Sequence, residues 1–184
     1  MKQRPNNAQA PGGNSNVEMQ LLKYASLAAE RRGATVRAIS WRLSGDRGGF
    51  SAERERVASQ VAAVVDEITT TTGIAPVVIG KSLGSLAAGV VADRGLAAVW
   101  FTPLLTDEPT VSALRRATGP CLLVGGTADP YWDGREARLI TTHVVEVDGA
   151  DHGMFVPGRL AASAAVLGQV ATAVEDFLDA FVYP

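Results

Sequence analysis

Ala75-Pro76-Val77-Val78-Ile79-Gly80-Lys81-Ser82-Leu83-Gly84 is the stretch that decides how this chain folds. Ala75–Ile79 is a short continuous apolar run, the pattern of a strand buried on both faces. It runs directly into Gly80-Lys81-Ser82-Leu83-Gly84, which fits G-x-S-x-G, and a helical pattern follows over Leu83–Asp93. A strand that turns straight into a helix forces the serine into strained dihedrals, and glycines two residues to either side leave room for the close backbone approach. The hydroxyl of Ser82 then stands above the sheet, beside amide N–H groups at a helix start, where negative charge is stabilised. Ser82 is therefore a candidate nucleophile. Gly80-Lys81-Ser82 also resembles the end of a phosphate-binding G-x-x-x-x-G-K-[ST] loop. The first glycine of that motif would fall at Ala75, however, and the strand leaves no loop to wrap phosphates. Lys81 is expected to be a solvated side chain at the tight turn, with a field that favours an anionic substrate as the other reading.

Outward from this stretch, helical patterns alternate with strands. Helices are predicted over Val17–Arg32, Ser51–Thr70 with Ser51 as N-cap, Leu83–Asp93, Glu108–Ala117, Arg135–Ile140, and a C-terminal segment from Leu160. Strands are predicted over Ala34–Trp41, Ala75–Ile79, Leu96–Phe101, Cys121–Val124 and Thr142–Val147. Such alternation predicts one α/β domain over 1–184, with a mostly parallel sheet of five or six strands and helices on both faces. Ligands of such sheets sit at the carboxyl ends of the strands. Two more loops leave those ends. Gly125-Gly126-Thr127-Ala128-Asp129-Pro130 offers Asp129 as an acid, and Asp133 is a rival that also suits the cap of the next helix. Gly149-Ala150-Asp151-His152-Gly153-Met154 offers His152. Of the two histidines in the chain, His143 lies at the start of the last strand, the wrong end for this site. Ser82, Asp129 and His152 thus follow one another in successive or near-successive loops, the order nucleophile, acid, histidine.

Composition bounds the class. With 184 residues, 47% hydrophobic and 20% charged, the chain is ordinary for a globular protein and needs no disulfide staple. Its one cysteine, Cys121, admits no intrachain disulfide and fits a reducing, cytoplasmic compartment. The net charge of −2, with signs interspersed, argues against a nucleic-acid partner. The first ten residues lack an apolar signal core, and Leu160–Val174 is too short to span a bilayer, so no membrane partner is expected. Two separated histidines and one strand cysteine make no closed zinc site, and no cofactor is called for.

The stretches APGGNSN, VVIGKSLGS, LLVGGTADPYWD and GADHGM resemble the α/β-hydrolase family, in particular its small lidless serine hydrolases related to dienelactone hydrolases, from about Pro11 to the C-terminus. That resemblance implies Ser82 as nucleophile, Asp129 as triad acid and His152 as base. It also implies an oxyanion hole from the amides of Leu83 and Gly13. The implied fold is a minimal one, with the earlier N-terminal strands missing and no cap domain, because Thr102–Glu108 is too short to hold a cap. Residues 1–11 read as loop or degraded strand. Either a short strand forms near Ala8–Pro11 despite its polar composition, or that sheet position is empty. Trp41, Leu104, Trp132 and Met154 are candidate lining residues of an open site. The implied activity is hydrolysis of small carboxylic esters or thioesters through an acyl-enzyme on Ser82. The alternative is a weak or inactive hydrolase fold that serves in binding or scaffolding.

Overall fold

A computed structural model describes residues 7–10, 19–40 and 49–183. Six strands alternate with helices: β1 (Asn7–Ala10), α1 (Met19–Arg31), β2 (Val36–Ala38), α2 (Gly49–Thr72), β3 (Val77–Lys81), a 3₁₀ turn (Ser82–Ala87), α3 (Ala88–Asp93), β4 (Ala98–Phe101), α4 (Glu108–Arg116), β5 (Cys121–Gly126), α5 (Gly134–Ile140), β6 (Val144–Val147) and α6 (Leu160–Phe181). The sheet has the order β2-β1-β3-β4-β5-β6, and every described pairing is parallel.

The side chains explain why β3, β4 and β5 read as unbroken apolar runs. Val77, Ile79, Val99, Phe101, Leu122 and Val124 point to one face, where they pack with Leu21, Leu22, Ala25 and Ala29 of α1 and Val170, Val174, Phe177 and Leu178 of α6. Val78, Ala98, Trp100, Cys121 and Leu123 point to the other, against Val57, Val61, Val65 and Ile68 of α2 and Val111 and Leu114 of α4. With both faces covered, these positions leave no room for a polar alternation, and Lys81 at the end of β3 is the one charged residue in the three strands. The helices carry their own stop and start signals. Asp107 caps α4 by accepting from the Thr110 amide at 3.0 Å, with Pro109 in the first turn and Arg115 and Arg116 in the last.

Four expectations change. The open question at the N-terminus resolves to a strand, because Asn7–Ala10 pairs with Val36–Ala38 on one side and Val77–Gly80 on the other. Ladder bonds belong to the backbone, so a position bonded on both sides holds a strand that propensity alone would not. The strand predicted over Ala34–Trp41 is only Val36–Ala38, at the sheet edge where a single neighbour supports it. Helix α2 begins at Gly49, so Ser51 lies inside its first turn and is not the N-cap. The helix predicted from Leu83 is a 3₁₀ turn as far as Ala87, because the chain leaves β3 too sharply to begin with α-helical geometry.

Candidate active site

Strand β3 fixes where Ser82 stands. Ser82 has φ of 49°, the left-handed region, at the step from extended Lys81 into the 3₁₀ turn. That conformation is strained for a residue with a Cβ. The turn is packed tightly enough to hold it. A Cβ on Gly80 would lie 2.4 Å from the Trp100 ring, so only glycine fits there. Buried Ser85 ties the turn on both sides. Its hydroxyl donates to the Ser82 carbonyl at 2.7 Å and accepts from the Leu104 amide at 3.1 Å, joining the elbow to the loop after β4.

Asp129 leaves the end of β5 and is 4% exposed. Its Oδ1 accepts from the Tyr131 amide at 2.9 Å, and its Oδ2 lies 2.9 Å from Nδ1 of His152. Nε2 of His152 lies 2.7 Å from Oγ of Ser82. A carboxylate only accepts, so Nδ1 carries the ring proton and Nε2 is left as acceptor for the Ser82 hydroxyl. The three loops therefore bring Ser82, His152 and Asp129 together in one hydrogen-bonded line.

The acid loop and the histidine loop are bonded to each other. The Thr127 hydroxyl donates to Asp148 at 3.0 Å and accepts from the Gly149 amide at 2.7 Å, and the Ala128 amide donates to the Ala150 carbonyl at 3.0 Å. The approach is close enough that a Cβ on Gly126 would sit 2.2 Å from the Ala150 carbonyl oxygen. Asp151 closes the histidine loop, accepting from the Gly153 and Phe155 amides at 2.8 and 2.9 Å.

The other candidates have these places. Leu83 is the second residue of the 3₁₀ turn, and the first amides of a helical turn have no acceptor within it. Gly13 and Trp41 lie outside the described residues. Leu104 is 1% exposed and belongs to the core under α2. Met154 is buried, yet with Leu21, Phe155, Leu160 and Leu167 it lines a cavity of about 150 Å³ beside the His152 loop. Trp132 lies over Gly125, where a Cβ would meet its ring at 2.1 Å, and its indole N–H donates to Glu146 at 2.7 Å. The Arg138 guanidinium and that indole hold the Glu146 carboxyl below the usual range. Asp133 caps α5 through the Arg135 and Glu136 amides and takes no part in the line. His143 packs on Phe181, ring centres 4.6 Å apart, at the far end of β6.

Three residues escaped the sequence reading. Tyr131, one position before Trp132, sets its ring edge-to-face on the His152 imidazole at 5.2 Å and on Phe50 at 5.8 Å. Ser85 is the second. Lys81 is the third: expected in solvent, it is fully buried, and its Nζ donates to the main-chain carbonyl of His152 at 3.0 Å. Ser85 carried a weak signal, a hydroxyl one turn after Ser82; the other two carried none. Among the described residues no three His, Cys, Asp or Glu side chains gather as a metal site, and no helix is long and apolar enough to cross a membrane.

No family model and no curated protein matches the chain. Solved structures do. A protein of the α/β hydrolase superfamily from Xanthomonas campestris superposes with a TM-score of 0.76 at 22% identity, over 97% of this chain and 100% of that one. An α/β serine hydrolase homologue from Coxiella burnetii matches with 0.68 at 16%, over 96% and 88%. A lidless member of the α/β serine hydrolases from Xanthomonas campestris matches with 0.65 at 14%, over 96% and 83%. In sheet order, helix layering and the sharp turn after β3, this chain has the α/β-hydrolase fold.

Proposed function

We propose that the protein is a serine hydrolase that cleaves small carboxylic esters or thioesters through an acyl-enzyme on Ser82. The observation that carries this reading is the line Ser82 Oγ, His152 Nε2 at 2.7 Å, and His152 Nδ1 to Asp129 Oδ2 at 2.9 Å. His152 takes the Ser82 proton as Oγ attacks the carbonyl carbon. Asp129 holds the ring in the required tautomer and stabilises the imidazolium. The Leu83 amide, with that of Gly13, receives the oxyanion. His152 then protonates the leaving group, and water, with His152 again as base, releases the acid.

A catalytically silent scaffold is the rival. The polar composition before Gly12 favours it, and a formed β1, paired on both sides, weighs against it. A panel of short p-nitrophenyl esters and acyl thioesters, run with wild type and Ser82→Ala, tests the proposal. Turnover that disappears in the variant supports it. A folded wild type silent on the whole panel favours the scaffold.

A further inference from the structure

We infer that Lys81 is a positioning residue for the proposed reaction, holding the His152 backbone so that the imidazole stays in line with Ser82. The inference rests on the serine-hydrolase reading for its kinetic consequence and on geometry for the rest. Lys81 ends β3 and directly precedes the nucleophile. Strand alternation from Val77 and Ile79 turns its side chain to the α1 and α6 face, where it is 0% exposed. A fully buried lysine is rare and demands hydrogen-bond partners. One partner is the carbonyl oxygen of His152, 3.0 Å from Nζ. The same short peptide segment, Lys81-Ser82, thus grips the histidine twice: through the side chain of one residue to its backbone, and through the hydroxyl of the next to its ring. The Gly149 and Met154 backbones on either side have positive φ of 67° and 63°, so the loop makes two sharp turns around His152. The Lys81 bond fixes the stretch between those turns to the sheet.

Lys81→Met keeps most of the apolar stem, ends one bond short of the lysine's reach, and removes the donor. Lys81→Gln keeps an N–H donor one bond short of the lysine's reach. Misplacing a catalytic group by an ångström costs about 10²-fold in rate. The expected result for Lys81→Met is therefore a fall of roughly 10- to 100-fold in fluorophosphonate labelling of Ser82 and in kcat, with KM for a short ester unchanged and Lys81→Gln in between. Hydrogen exchange across Gly149–Phe155 is measured on the same samples and is expected to quicken in Lys81→Met while the β3 and β4 amides keep wild-type protection. Folded Lys81→Met that labels at the wild-type rate, or whose loop exchanges as in wild type, overturns the inference. If wild type itself does not label, the hydrolase reading fails, and loop exchange alone then decides whether Lys81 holds the His152 segment. If Lys81→Met does not fold, Lys81→Gln decides by the same two readouts.

Discussion

Asp129→Asn separates the chemistry of the site from its packing. Asp129 makes two bonds: Oδ1 accepts from the Tyr131 amide at 2.9 Å, and Oδ2 faces Nδ1 of His152 at 2.9 Å. Asparagine is isosteric, and its carbonyl oxygen keeps the Tyr131 bond. Its NH₂ then points at Nδ1 and donates, so the ring must carry its proton on Nε2. That proton faces Oγ of Ser82, 2.7 Å away, and the base is gone. A wrong tautomer of this kind costs about 10⁴ in rate, which at about 1.36 kcal/mol per decade is about 5.5 kcal/mol of transition-state stabilisation. Stability changes far less, because one bond is kept and the other is replaced. A loss of about 1 kcal/mol corresponds to about 2–4 °C in Tm for a chain of this size. The assay is the second-order rate of fluorophosphonate labelling, read beside a thermal melt. Labelling within about tenfold of wild type in a folded variant would refute the assigned roles of Asp129 and His152. Asp129→Ala is the control. It also orphans the part-buried Tyr131 N–H, so it loses a further ~1 kcal/mol of stability.

Ser85→Ala leaves the Leu104 amide, buried at 1% residue exposure, without its acceptor; the expected loss is about 1–3 kcal/mol with slower labelling, and a melt equal to wild type would contradict it. Burial works to raise the Asp107 pKa, but the bonds from Thr110 and Arg54 outweigh it and hold the carboxyl below its usual range. A depressed carboxylate contributes stability above its unfolded pKa and loses it as pH falls through the folded one. Wild type should therefore be more stable than Asp107→Asn at neutral pH, the gap closing below about pH 4; a gap constant down to pH 3 would count against the pairing. Burial pushes the Cys121 thiol up to about 12, so a thiol reagent should leave the native protein unmodified and react only on unfolding.

The sequence made the interior strands and the three loops of the candidate site legible for local reasons. Val77–Ile79 and Cys121–Val124 are buried on both faces, so composition alone reports them. His152 stood out because the chain has only one other histidine, placed at the wrong strand end. What stayed hidden depends on contacts far apart in sequence. The burial of Lys81 is set by a loop 71 residues later, and lysine at a turn reads as solvated when that loop is not in view. Strand β1 is held by ladders to two other strands, not by its own side-chain propensities. Tyr131 and Trp132 are adjacent aromatics; which one meets His152 depends on how the chain turns after Asp129, and the Trp132 bond to Glu146 on β6 takes that ring elsewhere.

Intact-mass analysis after fluorophosphonate treatment, with wild type beside Ser82→Ala, tests the central claim most directly. An assembled Ser82–His152–Asp129 line predicts one phosphonyl adduct on wild type and none on the variant. A folded wild type that gains no adduct, or a Ser82→Ala protein that gains the same one, would contradict it.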